Sequence, residues 1–399
     1  MMRAAAVTAA LALAASEAAL AVLVRRCRRD FPWLITPRDA TPDIPVDVVE
    51  RHLERSFDAE LGWCRRPHER GSEETDAGTT TYRVDELGRR HNPGFEDQPA
   101  RVACFGDSFV FCRLVDDHHT WPHLLGLRLG VNVANYGVGN YGLDQALLRL
   151  ERELPTLESS VVVMGVVPET IARVHSYWKH YFEYGNVLAF KPRFTLGPAG
   201  LRLHPSAVRS AADYRTYTDD LSAIRRLDPF YEAKFRRDTL FFPYTVTIVR
   251  RARRHVPLLT HVLRGDRRRA FDVVLRDNAR WTARLYADQK ATDLLVALAQ
   301  RFAAVCRSAG KHPVLLVIPQ PADLRRRDRG GAHEATVRRL RATLPVVDVS
   351  GRFRADPDRH GLFTYGRLGP HCSPKGNAVV AEELHPVVAP LLARAATSR

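Results

Sequence analysis

Serine is a weak nucleophile until a base takes its proton, and that base is most often a histidine. This sequence offers such a pair in Ser108 and His371. Ser108 closes Phe105-Gly106-Asp107-Ser108, where the apolar run Val102–Phe105 breaks at a glycine that permits a tight turn. A serine at the carboxyl end of a strand sits where α/β sheets place their ligands. His371 stands in Gly369-Pro370-His371-Cys372-Ser373-Pro374, a loop just before a helix with Ser373 as N-cap and Pro374 as first residue. An imidazole near a helix N-terminus is favoured in its neutral, proton-accepting form.

The elements that must position these groups alternate. Strands are predicted over Val102–Phe105, Val131–Tyr136, Ser160–Val167, Pro313–Pro319 and Pro345–Val349. Helices are predicted near Thr120–Leu129, Leu143–Leu154, Ala287–Ala309, Ala332–Ala342 and Pro374–Arg394. This order implies an α/β fold, a mostly parallel sheet covered on both faces, over residues 101–170 and 283–399. Residues 171–282 are too long for a connection and read as a largely helical insertion capping the carboxyl ends of the strands. The insertion carries aromatic clusters (Tyr177-Trp178, Tyr181-Phe182, Phe241-Phe242) and basic runs (Arg250–Arg254, Arg267–Arg269). Residues 31–100 are a Pro- and charge-rich lead-in, in which Asp58–Trp63 and Thr79–Arg90 read as short strands or a hairpin.

With 399 residues, 45% hydrophobic and 26% charged, the chain has the composition of a globular protein with a full core. A net charge of +15 suits an anionic neighbour, though arginine-rich surfaces are usually just solvated. No nucleic-acid-binding module is recognisable, and charge without a motif does not make one. Six cysteines without Cys-x-x-Cys spacing exclude a disulfide scaffold and argue against structural zinc. Asp116-Asp117-His118-His119 precedes a helix start, where acidic residues answer the macrodipole rather than a metal. Residues 1–30 hold an apolar stretch, Ala4–Val24, of membrane-crossing length, interrupted by Ser16-Glu17 and followed by Arg25-Arg26-Cys27-Arg28-Arg29. Counting basic residues alone would hold the following domain in the cytoplasm.

Three blocks in order carry a resemblance. Phe-Gly-Asp-Ser108, Asn135-Tyr-Gly-Val-Gly-Asn-Tyr-Gly142 and His371-Cys-Ser-Pro-Lys-Gly-Asn resemble the SGNH/GDSL hydrolase superfamily, with Val161–Ile171 in the place of its third block. The likeness is to large bacterial, partly membrane-attached members of unassigned substrate. It implies a three-layer α/β/α, flavodoxin-like SGNH fold and acyl-ester chemistry, often on glycans. Carried over, Ser108 is the nucleophile and one oxyanion donor, and His371 is the general base. The second-block glycine aligns with Asn140, or with Gly139 if the turn shifts by one; asparagine tolerates the left-handed conformation.

Two departures stand out. Glu169 and Thr170 occupy the place of the third-block asparagine, and only the threonine hydroxyl could donate to an oxyanion. The aspartate expected three residues before His371 is Leu368. A backbone carbonyl or Asp348 would then have to orient the imidazole, with Asp107 and Glu169 as further supporting residues. The expected activity is a serine esterase or O-acyltransferase on an acyl ester of a carbohydrate or lipid, without cofactor, metal or nucleic acid. The first segment would tether it to a membrane, and the resemblance favours the domain outside the cytoplasm or in the periplasm. The other reading is a catalytically degraded SGNH-fold protein serving binding or assembly in the cell envelope.

Overall fold

Five largely apolar segments become strands, and the three central ones are buried on both faces over most of their length, as parallel sheets require. In the computed structural model, which describes residues 2–324, 331–367 and 369–397, these are β1 (Ala100–Gly106), β2 (Asn132–Asn135), β3 (Val161–Val166), β4 (His312–Val317) and β5 (Val346–Asp348). They form one parallel sheet in the order β5-β4-β3-β1-β2. Leu368 lies outside the described residues.

Because side chains alternate along a strand, each strand feeds two cores. Ala103, Phe105, Val162, Met164, Leu315 and Val317 face the helices Leu143–Glu153, Gln289–Ser308 and Glu334–Arg341. Val102, Cys104, Val161, Val163, Val314 and Leu316 face Trp121–Leu129 and Pro374–Thr397. The result is a three-layer α/β/α sandwich of flavodoxin-like strand order; in sheets of this kind ligands bind where the order reverses, here between β1 and β3.

The chain divides into two compact units. The sheet unit comprises residues 51–175, 191–209 and 282–399. It takes in much of the lead-in, whose strands Arg70–Thr75 and Gly78–Arg83 pair as a hairpin, with Phe57–Asp58 and Gly62–Trp63 forming another. The hairpin Arg70–Arg83 joins strand Phe363–Gly366, which pairs with Gly369–Cys372, in a four-stranded antiparallel sheet. His371 therefore sits on a short strand rather than in the expected loop. The helix follows at Pro374, with Ser373 Oγ accepting from the Gly376 N–H at 3.1 Å.

Part of the expected insertion, 191–209, folds into the sheet unit as the hairpin Arg193–Gly197 with Gly200–His204. Lys191 anchors it: its Nζ lies 2.5 Å from Asp144 Oδ2, both side chains fully buried, and also donates to the Pro192 carbonyl. Asp116 and Asp117 hold the lead-in as well. Asp116 accepts from the Thr81 N–H, and Asp117 pairs with buried Arg90 at 3.0 Å.

The other unit comprises 1–50, 176–190 and 210–281. Its aromatic core centres on Trp178, stacked on Phe190 at 4.6 Å and edged by Tyr181 and Tyr217. Asp238 collects a buried charge cluster, accepting from Tyr184, Lys234 and Arg251. Burial alone would raise that carboxyl, but Arg254, Lys234 and Arg251 together hold it far below the usual range.

Candidate active site

The turn after β1 is built by close backbone approach. A Cβ on Gly106 would lie 2.2 Å from the Gly165 carbonyl oxygen, and its φ of +154° also favours glycine. A Cβ on Gly137 would lie 2.2 Å from the Phe111 nitrogen, so the loop after β2 presses directly on the turn. Asp107 then caps the short helix Ser108–Phe111. Its carboxylate accepts from the Phe109 N–H at 2.8 Å, and its carbonyl from Val110 and Phe111. These bonds engage the second to fourth N–H groups and leave the Ser108 N–H outside the set, aimed as the first amide of a helix.

Ser108 Oγ lies 2.8 Å from His371 Nε2, and each residue is only 6% exposed. His371 also packs on the Phe109 ring at 4.8 Å. Burial, then Arg113 and Arg173, push the imidazole down to about 3, against the opposing pull of Glu73 and the Gly369 backbone. At neutral pH the ring is therefore uncharged. With Nε2 accepting from the serine hydroxyl, the ring proton is assigned to Nδ1. Gly369 favours the charged ring, yet no group among the described residues meets hydrogen-bond geometry at Nδ1.

The other expected residues divide. Asn140 adopts the left-handed conformation, φ +68°, in the loop that Val138 N–H ties to the Gly106 carbonyl at 3.0 Å. Gly139 has open space around its Cβ position, and its carbonyl accepts from Trp63 Nε1. Thr170 Oγ1 accepts from the Leu143 N–H at 3.0 Å, which leaves its own proton to donate elsewhere. Asp348 is placed with His333 (3.4 Å) and the Ser350 N–H, not with His371.

Three residues escaped the sequence reading. Arg173, buried, donates to Asp107 Oδ2 at 2.8 Å, to Glu169 Oε2 at 2.9 Å and to the Tyr141 carbonyl at 3.2 Å. It therefore joins all three strand-end blocks, and its only sequence signal is the i,i+4 spacing from Glu169. Burial raises the Asp107 carboxyl, with Arg173 and the Phe109 N–H opposing. Glu73, on the lead-in hairpin, holds Arg113 Nε and accepts from the Leu114 N–H at 2.8 Å. Arg113 in turn donates its N–H to the Ser108 carbonyl at 3.1 Å. Cys112 and Leu114, both non-glycine, take positive φ values of +60° and +65° there. Such strain persists where surrounding contacts over-determine the backbone.

A serine hydroxyl on a neutral imidazole, beside an amide at a helix start, can attack a carbonyl carbon and hold the resulting oxyanion. No protein-family model matches this chain, and no curated protein matches it significantly. Solved structures similar to it include a protein assigned to the G-D-S-L lipolytic family from Desulfitobacterium hafniense DCB-2, at 13% identity and a TM-score of 0.30 over 72% of this chain and 98% of that one. Another is TesA, at 13% identity and a TM-score of 0.33 over 73% and 98%. Similarity of this degree says nothing of what this chain acts on.

Proposed function

We propose that this chain is an SGNH/GDSL-type serine hydrolase, an esterase or O-acyltransferase acting on an acyl ester of a carbohydrate or lipid. The observation that carries the reading is the 2.8 Å contact between Ser108 Oγ and His371 Nε2. Ser108 Oγ attacks the ester carbonyl carbon as its proton passes to Nε2. The oxyanion is held by the Ser108 N–H, by the N–H of Asn140 or Gly139, and by the Thr170 hydroxyl. Collapse expels the alcohol with the proton from His371 and leaves an acyl-serine. His371 then deprotonates water, or an acceptor hydroxyl, which attacks the acyl carbon and restores Ser108.

The imidazole works without a described carboxylate on Nδ1. Loss of that partner in other triads costs up to about 10⁴-fold, so a slow enzyme is expected. The apolar N-terminal helix, Ala5–Cys27, is proposed as a membrane anchor, with the sheet unit on the outer or periplasmic side. Burial of both Ser108 and His371 favours a second reading, a binding or assembly protein that keeps the fold without turnover.

Trapping the covalent intermediate separates the two. An activated acetyl ester should add one acetyl group to the peptide containing Ser108, seen by mass spectrometry after acid quench. A folded wild-type protein that never acquires that mass supports the binding reading.

A further inference from the structure

The N-terminal helix Met2–Cys27 carries one acidic residue in its apolar stretch, Glu17, and that side chain is buried. Its Oε2 accepts from the Tyr244 N–H at 2.5 Å and its Oε1 from the Thr245 N–H at 2.9 Å, with the Thr245 hydroxyl bound there too. Tyr244 and Thr245 open the helix Tyr244–Arg250, whose first amides have no partner within their own helix.

The chain reaches that point and leaves it along one path. Leu240 N–H donates to the Ile35 carbonyl, and Arg254 Nη2 to the Trp33 carbonyl, both just beyond the end of the N-terminal helix. Between these two ties the segment runs back along the helix as far as Glu17. In a helix the rise from Glu17 to Cys27 is about 15 Å, half of a hydrocarbon core of about 30 Å. Segment 241–249 contains no charged residue, and its open side is apolar. Phe242 is 71% and Val249 74% exposed, with Phe241 and Val246 beside them. Charge returns at Arg250 and Arg253, both exposed, as are Arg25, Arg26 and Arg29 at the end of the N-terminal helix.

We propose that residues 241–249 form a re-entrant hook that dips into the acyl-chain region of an anionic bilayer beside the N-terminal helix. This rests on the anchoring role proposed above for that helix. In hydrocarbon every backbone N–H must find a partner inside the protein, and Glu17 supplies it for Tyr244 and Thr245. The same contacts account for an acid in a membrane-length helix, where ionisable groups face protein rather than lipid. The exposed Arg250 and Arg253 after the hook, with Arg25, Arg26 and Arg29 at the end of the N-terminal helix, meet the phosphate headgroups. The bilayer would cover the side on which Phe241, Phe242, Val246 and Val249 are exposed.

Depth-resolved quenching tests this on the full chain in vesicles of phosphatidylglycerol and phosphatidylethanolamine. With Cys27 and Cys64 changed to serine, an environment-sensitive fluorophore is attached in turn at Phe242→Cys, Val249→Cys, Leu11→Cys and Ser222→Cys. The labels at 242 and 249 should lose at least half their emission to lipids brominated in the mid-acyl chain, and resist aqueous iodide. The label at exposed Ser222 should do the reverse. If 242 and 249 behave like 222 while Leu11 is quenched from the lipid, the hook is overturned and the anchor stands. If Leu11 also reports water, anchor and hook fall together.

Discussion

Arg173 Nη1 lies 2.8 Å from Asp107 Oδ2, and both side chains are almost wholly buried, so the residue beside the nucleophile is held by one that follows β3. The same guanidinium reaches Glu169 and the Tyr141 carbonyl. One cation thus sets the spacing of the three loops at the reversal of strand order, where such sheets bind ligands. Removing it leaves a buried carboxylate unpaired, a change that typically costs about 3–5 kcal/mol. Arg173→Ala is therefore expected to lower urea-unfolding stability by that order and to abolish any esterase activity. Unchanged stability would show that Asp107 does not depend on the pair.

Glu73 is the acidic side chain whose charge opposes the depression of His371, and it fastens Arg113 and Leu114 behind the nucleophile turn. Glu73→Gln keeps an acceptor for the Leu114 N–H and removes the charge. The imidazole should become a weaker base, with kcat/KM falling about severalfold and KM little changed. A loss confined to KM would assign Glu73 to substrate binding.

Catalysis and stability respond to pH differently. With His371 held down to about 3, its neutral form is present throughout the ordinary range, so kcat/KM should be flat from about pH 5 upward through neutrality. A steep fall centred near 6.5 would contradict this. For stability the sign follows from proton counting. Folding depresses the His371 imidazole from an unfolded value near 6.5, and burial similarly holds His175 at about 4. Below pH 6.5 the unfolded chain therefore binds more protons than the folded one. Stability should be lost progressively as pH falls from about 6.5 to about 3, and these groups contribute no change above that window. Denaturant midpoints at several pH values measure it.

Much of the sheet was legible because its strands are continuous apolar runs, and the five predicted segments differ from those observed by one or two residues at the ends. The serine and the histidine were legible because glycine, proline and capping serine mark the turns that hold them. What could not be read was pairing across distance. Asp348 was a reasonable partner for His371 by strand position, but the loop holding His333 brings that imidazole to it first. Glu73 lies in a segment with little periodicity, and only the register of the antiparallel sheet, Gly366 opposite Thr75, carries it toward the histidine strand. The loop histidine became a strand residue for the same reason: its partner strand, Phe363–Gly366, is too short to announce itself.

Gly106→Ala tests the turn itself. The new methyl would overlap the Gly165 carbonyl and Val110 Cγ2, and φ is positive, so the variant should lose ~2–5 kcal/mol or fail to accumulate. Wild-type stability would mean that β1 and β3 can separate at this point.

The central claim is that Ser108 is a nucleophile activated by His371. A fluorophosphonate probe reacts with a serine only when a base and an oxyanion site act on it together. The account predicts one probe per wild-type chain, located on Ser108, no labelling of Ser108→Ala, and labelling of His371→Ala slowed by about 10³-fold or more. A folded wild-type protein that stays unlabelled, or a Ser108→Ala variant labelled as fast as wild type, would contradict it.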